Sequence, residues 1–295
     1  LLLGDVDHRA DAADDLAVID EIHSIRDELA SVLRPPKRWT GGLRRTSQAR
    51  AIQGSNSIEG YTVTEQDAVA AVEDEPPLSA DDRTWAEIRA YRRVLTYVVN
   101  VGAEPGFEID ESSIRSMHFM LLEHELSKSP GRYRTGPIYV QDEAGGHPVY
   151  EGPDPAAVPN LMRSLAAALS SRDGDAMVRA AMAHLNLVMI HPFRDGNGRM
   201  ARALQTMVLA QDQVLEPTFS SIEEWLGHNT QHYYNVLAAT GGGAWHPDRT
   251  TRLWVKFNLR AHHMQAQTLR RRVAEAESQW ALIDSLISQH GLPER

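Results

Sequence analysis

The chain has 295 residues and contains no cysteine, which excludes disulfide bonds, thiolate zinc sites and cysteine nucleophiles. Its formal net charge of −10 argues against non-specific nucleic-acid binding, because such binding needs a basic face that displaces counterions from phosphates. No stretch approaches the roughly 18 apolar residues of a membrane span. We therefore expect a cytoplasmic protein that neither enters a membrane nor binds nucleic acid.

The spacing of apolar residues predicts a mostly helical chain. Residues 175–190 and 199–211 carry apolar side chains three and four positions apart, as one face of a helix requires. Pro192 ends the first of these helices, since the residue before a proline avoids the α conformation. Residues 136–140 and 147–150 are short strand-like runs around the turn 142–146, which predicts one β-hairpin. Further helices are predicted at residues 14–33, 81–101, 110–126, 223–239 and 254–286.

The loop between the helices 175–190 and 199–211 has the composition of a phosphate-binding site. Gly196-Asn197-Gly198 is expected to form a tight turn that small or left-handed residues enter at low cost. The backbone N–H groups of this turn and of the next helical turn should point into one concavity, where the helix dipole favours an anion. Arg199 and Arg202 are three residues apart and can both face that anion. The pattern predicts a polyphosphate ligand.

Two further side chains in the same string suit catalysis. Asp195 is the natural ligand for a Mg²⁺ ion that bridges two phosphates, because Mg²⁺ usually takes one or two protein carboxylates beside substrate oxygens. His191 stands at the loop entrance, and its ordinary pKa near neutrality suits a general base. Taken singly, a His-Pro pair at a helix end or an Asp-Gly-Asn-Gly turn is more often structural. Their combination in residues 191–202 favours the chemical interpretation.

The string 191–202 resembles the motif of the Fic domain, His-x-Phe-x-Asp/Glu-Gly-Asn-Gly-Arg-x-x-Arg, and fills every motif position. The resemblance implies an all-α, Fic-type helical core with one small β-hairpin flap. It also implies a Mg²⁺-dependent protein adenylyltransferase, which transfers AMP from the co-substrate ATP to a Ser, Thr or Tyr hydroxyl of a target protein and releases pyrophosphate.

The same resemblance implies a role for each motif residue. His191 would deprotonate the target hydroxyl, Phe193 would anchor the loop in the core, and Asp195 would hold Mg²⁺. Asn197, with the loop N–H groups of Gly196 and Gly198, would hold the α-phosphate. Arg199 and Arg202 would reach the β- and γ-phosphates.

A second motif, Ser55-Asn56-Ser57-Ile58-Glu59-Gly60, resembles the inhibitory helix of the same family. Ser55 can begin a short helical turn, Gly60 can end it, and Glu59 projects a carboxylate from its last turn. In the family that carboxylate pairs with the second motif arginine, here Arg202, and prevents productive ATP binding. As an isolated pattern, the segment would most often be an ordinary helix end.

The resemblance extends to the nucleotide pocket. The hairpin resembles the family's flap, which pairs with an extended stretch of target backbone, and it places His147, Val149 and Tyr150 at the nucleotide. Tyr233 and Tyr234 occupy a position at which Fic domains often carry a Tyr-Tyr pair against the adenine, although a paired aromatic on a helix is otherwise usually core. Some members also carry a base-contacting asparagine after this helix, and residues 239–243 lack it.

The acidic, proline-bearing segment 73–77 is the expected domain boundary. Residues 1–75 would form an N-terminal helical extension with the inhibitory helix at about 52–60, residues 76–265 the Fic catalytic core, and residues 266–295 a C-terminal helical segment resembling the start of a truncated winged-helix module. Two alternatives stay open: a nucleotide-sensing regulatory protein, and removal of AMP from a target at the same site. The sequence is compatible with a homo-oligomer.

The histidines outside the motif are expected to be structural. His118 and His124 do not share a helical face well and form no metal-ligand pattern. His184 is predicted to be a hydrogen-bonded core residue rather than a second base.

Overall fold

A computed structural model describes residues 12–141, 148–213 and 215–290 of the chain. The described residues form α-helices and one two-stranded antiparallel hairpin, which confirms the predicted fold class. The predicted turn 142–146 lies outside the described residues. The helices are α1 (Ala12–Leu33), α2 (Thr40–Ile58), α3 (Glu65–Glu73), α4 (Asp82–Val101), α5 (Glu111–Leu122), α6 (Val158–Ser170), α7 (Ala176–Ile190), α8 (Asn197–Ala210), α9 (Pro217–Ser220), α10 (Glu223–His228), α11 (Thr230–Gly241) and α12 (Arg252–His290), and the strands are β1 (Tyr139–Gln141) and β2 (Pro148–Glu151).

Helix α8 forms the centre of the molecule. Its residues from 199 to 210 are all buried, and α7, α4, α5 and α2 pack around it. Apolar residues such as Leu204 and Met207 face these neighbours on several sides, as expected for a helix enclosed by protein. Because α8 is held on several sides, its N-terminus is a rigid platform for the loop that precedes it.

Two hydrophobic clusters hold the helices together. The larger cluster joins α2 to the central helices, with Ile52 and Ile58 packed in the same core as Ile88 and Leu204. The smaller cluster joins α1 to α12, through Leu29 and Leu269 among others. Residues from both sides of segment 73–77 thus share one core, and the proposed domain division stays a prediction.

The structure corrects several predicted boundaries. The helix predicted at residues 110–126 ends at Leu122, and the first strand begins at Tyr139 rather than at residue 136. Ser55 does not begin a short helix: it lies in the last turn of α2, a helix of 19 residues. The predicted helix 223–239 is two helices, since Asn229 has a non-helical backbone between α10 and α11. Gly54 on α2 and Gly227 on α10 explain the close packing of these helices, because a Cβ on Gly227 would lie 2.6 Å from the Cα of Gly54.

None of the described helices combines the length and the apolar character that crossing a membrane requires.

Candidate active site

His191 stands where α7 gives way to the loop, with its backbone in the left-handed region at φ 50°. Its Nδ1 lies 3.0 Å from the carbonyl oxygen of Val188. A carbonyl only accepts hydrogen bonds, so Nδ1 carries the proton of the neutral ring and Nε2 carries the lone pair. Burial lowers the pKa of His191 and outweighs the opposite effect of the Val188 carbonyl. The ring is therefore a neutral base with Nε2 as its basic atom.

Arg134 fixes the backbone of this base from the side of the hairpin. Its Nε donates to the His191 carbonyl oxygen at 2.8 Å, and its Nη2 donates to the Pro153 carbonyl oxygen at 2.6 Å. Its backbone N–H also donates to the Pro192 carbonyl oxygen at 2.9 Å. Arg134 thus joins the base of the hairpin to the loop. Residues 131–134, Gly-Arg-Tyr-Arg, resemble a pattern found before the flap of Fic domains, but the pattern alone did not predict these contacts of Arg134.

Phe193 anchors the loop as predicted: it is fully buried, and its ring stacks on His118 with 3.7 Å between ring centroids and 5° between planes. His118 accepts a hydrogen bond from Gly131 N at Nδ1, so its Nε2–H donates to the Asp195 carbonyl oxygen at 3.0 Å. Burial lowers the pKa of His118 to about 4, so the ring stays neutral near pH 7. His118 is therefore a structural support of the loop.

The Asn197 side chain also holds the loop. Its Oδ1 accepts from Phe193 N at 3.0 Å and its Nδ2 donates to the Phe193 carbonyl oxygen at 2.9 Å. The residue is buried, and both ends of its amide are engaged by the loop. The predicted contact of this side chain with the α-phosphate stays a prediction.

Asp195 lies at the edge of the loop with its side chain 38% exposed. Oδ2 is 3.0 Å from Lys128 Nζ, and Oδ1 accepts from Gly196 N at 2.6 Å. Burial opposes ionisation, but Lys128 and the Gly196 N–H outweigh it and lower the pKa of Asp195. Within the described residues no three acidic or histidine side chains converge on a metal position. A single ionised carboxylate fits Mg²⁺ held jointly with substrate phosphates.

Glycine suits positions 196 and 198 of the loop for two different structural reasons. Gly196 has φ 74° and precedes α8, where a left-handed conformation favours glycine. The predicted turn is wrong for Asn197 and Gly198, which are the first two residues of α8. A Cβ on Gly198 would lie 2.6 Å from Glu59 Oε1. Glycine at position 198 thus leaves room for the Glu59 carboxylate at the N-terminus of α8.

Glu59, at the end of α2, pairs with Arg202 on α8, so the two sequence motifs meet. Arg202 Nη2 donates to Glu59 Oε1 at 2.7 Å, and Nε donates to Ser55 Oγ at 2.7 Å. Arg202 is buried, which opposes its charge, but Glu59 outweighs the burial and raises the pKa of Arg202. The Glu59 carboxylate therefore occupies a position at a helix N-terminus and beside a buried cation, which is where an anion is stabilised.

Arg199 has a partner that sequence analysis missed. Its Nη1 forms an ion pair with Glu87 on α4, whose carboxylate also accepts from the Tyr61 hydroxyl at 2.7 Å. Each motif arginine is thus paired with one carboxylate. Glu87 sits in a helix without any motif around it, and only the folded chain brings it to Arg199.

The two tyrosines of α11 differ. Tyr233 is in the core, where its hydroxyl donates to Nε2 of the buried His184 at 3.0 Å. His184 Nδ1–H donates to Gln205 Oε1 at 2.6 Å, which confirms the prediction of a hydrogen-bonded core histidine. Tyr234 is 38% exposed, and its hydroxyl donates to the Ile58 carbonyl oxygen. Exposure makes Tyr234 rather than Tyr233 the better candidate for a ligand contact.

In the hairpin, Val140 pairs with Tyr150, and the Tyr150 hydroxyl donates to the Met189 carbonyl oxygen at 2.7 Å. Val149 is 38% exposed, whereas His147 lies outside the described residues. The far edge of β2 is occupied, because Glu151 N donates to the Gly243 carbonyl oxygen at 3.0 Å. An added strand would therefore pair with β1.

Comparison with known sequences agrees with this site. Residues 108–209 match the Fic/DOC family model. The chain is 30% identical over 202 residues to the protein adenylyltransferase Fic of Nematostella vectensis, covering 66% of this chain and 45% of that protein. It is 31% identical over 212 residues to the Drosophila virilis protein of the same name, covering 68% and 42%. The chain thus spans less than half the length of these curated relatives.

Comparison with solved structures supports the fold. A Fic family protein from Desulfovibrio desulfuricans G20 superimposes with a TM-score of 0.73 at 26% identity, covering 88% of this chain and 74% of that one. Fic-1 from C. elegans, residues 134–508, superimposes with a TM-score of 0.68 at 21% identity, covering 90% and 72%, and shows the fold alone.

Proposed function

Because residues 108–209 of this chain are a Fic domain, we propose that the protein is an adenylyltransferase that transfers AMP from ATP to a hydroxyl side chain of a target protein. The observation that carries the proposal is the arrangement at the N-terminus of α8. There a neutral His191, whose Nε2 carries the lone pair, and an ionised Asp195 lie on the loop before α8, and Arg199 and Arg202 lie near the start of that helix. That set matches the needs of nucleotidyl transfer.

In this proposal His191 Nε2 takes the proton of the target hydroxyl, whose oxygen attacks the α-phosphorus of ATP. The bond between the α-phosphorus and the bridging oxygen breaks, and pyrophosphate leaves. Asp195 would hold Mg²⁺, which supplies positive charge to the phosphate oxygens when bound. Arg199 and Arg202 would neutralise the β- and γ-phosphates. The contacts of Arg134, His118 and Asn197 hold the loop in place during transfer of AMP.

The target would dock by adding an extended segment to the open edge of β1. Strand addition supplies affinity through main-chain hydrogen bonds and leaves selection to side chains. Residues 243–245 already occupy the edge of β2, which supports β1 as the docking edge. Tyr139 on β1 is half exposed and would contact the target directly.

We further propose that Glu59 inhibits this activity. Its carboxylate lies beside Gly198 at the N-terminus of α8 and engages Arg202, so it takes both the anion position and one of the cations that ATP requires. Like charges at one position repel, and a triphosphate cannot share it with Glu59. Removing the carboxylate should free both the position and the arginine.

The test is labelling of the protein itself, and of an added cell lysate, with ATP and Mg²⁺. Glu59→Gly should incorporate label from α-³²P-ATP at least about tenfold faster than the wild type, since releasing ~1.4 kcal/mol is already tenfold in rate. Label from γ-³²P-ATP should not be incorporated, because transfer of AMP retains only the α-phosphate. Intact-mass spectrometry should show the addition of one AMP.

Two double variants serve as controls. Glu59→Gly/His191→Ala should lose the labelling, and Glu59→Gly/Arg202→Ala should lose most of the gain because the released cation is absent. Incorporation of γ-label would identify a phosphotransferase instead. A folded Glu59→Gly protein that binds ATP without incorporating either label would favour a nucleotide sensor. Release of AMP from a labelled target by the wild type would favour AMP removal.

A further inference from the structure

Glu87 is a buried carboxylate at the site to which sequence and family pattern assign nothing. Its side chain is 8% exposed, and the Arg199 side chain with which it pairs is 2% exposed. Burial opposes ionisation of Glu87, but Arg199 and the Tyr61 hydroxyl outweigh it and lower the pKa of the carboxyl group. The two side chains therefore form a buried ion pair.

Every oxygen of the Glu87 carboxylate is engaged inside this cluster. Oε2 faces Arg199, whereas Oε1 accepts from the Tyr61 hydroxyl and lies 3.3 Å from His124 Nε2. The Tyr61 ring adds a second contact to the cation, with the guanidinium carbon of Arg199 5.8 Å from the ring centroid. Glu87 thus forms a closed network around one edge of the guanidinium.

Glu87 and Glu59 differ in their exposure and in the contacts that hold their carboxylates. Glu59 ends a helix, its side chain is 22% exposed, and its carboxylate lies over the N-terminus of α8. Glu87 lies within α4, a 20-residue helix whose buried face includes Ile88 and Tyr91, and its oxygens are held by neighbouring side chains. A carboxylate so anchored stays with its arginine when Glu59 leaves.

We infer that Glu87 is a positioning residue that holds the Arg199 guanidinium in place for the outer phosphates of the nucleotide. The inference rests on the proposed function, because it takes ATP as the ligand. Arginine has five N–H donors in a rigid fork, so one edge can bind Glu87 while other donors face a phosphate. Without Glu87, Arg199 would be a buried, unpaired cation. Binding of ATP would then also have to order the Arg199 side chain, which lowers the affinity.

The test compares a triphosphate with a monophosphate in the Glu59→Gly protein. The probes are α,β-methylene-ATP, which cannot be cleaved between the α- and β-phosphates, and AMP, which lacks the phosphates that Arg199 would reach. Both are titrated calorimetrically with Mg²⁺ present. Glu87→Gln should weaken binding of the triphosphate by about tenfold, the size of one weakened charge-assisted hydrogen bond, and change AMP binding less than about twofold.

Two further variants separate positioning from general stability. Glu224→Gln removes a charge from a comparable pair, since Glu224 accepts two hydrogen bonds from Arg272 at 2.7 and 2.6 Å, and it should leave both ligands unaffected. Tyr61→Phe keeps the Glu87 charge but removes one of its hydrogen bonds. It should produce a smaller loss with the same selectivity for the triphosphate, so the inference is testable even where Glu87→Gln folds poorly.

The outcomes are distinct. Equal weakening of both ligands, or unchanged or tighter triphosphate binding in both Glu87→Gln and Tyr61→Phe, would overturn the positioning role. If the parent Glu59→Gly protein itself binds neither ligand, the proposed function is wrong and this inference falls with it. If the parent binds both, the proposed nucleotide site stands and the variants decide the role of Glu87 alone.

Discussion

The Tyr234 hydroxyl donates a hydrogen bond to the carbonyl oxygen of Ile58 at 2.9 Å, which ties α11 to the last residue of α2. Ile58 immediately precedes Glu59, the proposed inhibitory carboxylate. Tyr234 is also partly exposed, and sequence analysis placed it against the adenine. One side chain therefore connects the proposed nucleotide pocket to the proposed inhibitory segment.

Tyr234→Phe should raise self-labelling severalfold above the wild type. The change removes a hydrogen bond that holds the end of α2 but retains the ring for the base, and one such bond contributes about 1 kcal/mol. Tyr97→Phe is the control, because the Tyr97 ring packs edge-on against Phe107 rather than against the end of α2. In the Glu59→Gly background the gain should vanish. Wild-type labelling rates in Tyr234→Phe would show that the contact does not restrain the segment.

The pH dependence of labelling should report the state of His191. Because burial lowers its pKa, the ring stays neutral until the pH falls below the ordinary value near 6.5. Labelling by Glu59→Gly should therefore be level from pH 8 to about 6.5 and decline only under more acidic conditions. His191→Ala in that background should lower the rate by about 10²- to 10⁴-fold on the level part of the profile, while nucleotide binding is retained. If labelling begins to decline above pH 7, the decline is caused by a titratable group other than His191.

Asp195→Ala should reduce the effect of Mg²⁺ on nucleotide binding. In the Glu59→Gly background we expect Mg²⁺ to tighten binding of α,β-methylene-ATP, and the variant should lose most of that gain because it lacks the carboxylate at the loop. Asp154→Ala is the control, since Asp154 caps a short 3₁₀ turn at Pro155–Ala157. Calorimetry with and without Mg²⁺ measures the difference. An unchanged Mg²⁺ effect would remove Asp195 from the metal site.

The parts of the site that sequence predicts are those with local signals. Residues 191–202 are contiguous, so their chemistry can be read from a single string, and the long helices follow from apolar spacing. The contact of Glu59 with Arg202 could be predicted only because each lies in a recognisable motif. Glu87 lies 112 residues from Arg199, and His118 lies 77 residues from Asp195. Each sits alone in an ordinary helix, so its role arises only from packing.

Asn197 and Gly198 illustrate a second limit. A Gly-Asn-Gly string predicts a turn from backbone preference, yet here the helix begins at Asn197 because its amide bridges the N–H and the carbonyl of Phe193. Gly198 leaves room for the carboxylate of Glu59, which belongs to a segment distant in sequence. Local propensity cannot register a tertiary contact of this kind.

Glu223 at the start of α10 should make stability depend on pH. It is fully buried, its Oε1 accepts from the Thr206 hydroxyl at 3.2 Å, and burial raises its pKa to about 7. Because the pKa of this carboxyl group is higher in the folded protein than its unfolded value of 4.5, the folded state binds the proton more tightly than the unfolded state does. This proton binding adds to the free energy of unfolding at low pH, and the contribution is lost as the pH rises towards and through about 7. The wild type should therefore lose stability relative to Glu223→Gln between pH 5 and pH 8.

Urea denaturation of both proteins at pH 5 and pH 8 measures this change, which should be about 2 kcal/mol. Glu224→Gln provides the comparison, because burial at Glu224 is outweighed by Arg272 and its pKa is lowered. The Glu224 carboxyl is then ionised in both folded and unfolded states over this range, and its variant should differ from the wild type by the same amount at both pH values. If Glu223→Gln also gives a pH-independent difference, Glu223 is ionised in the folded protein at pH 5, and Arg202 outweighs the burial.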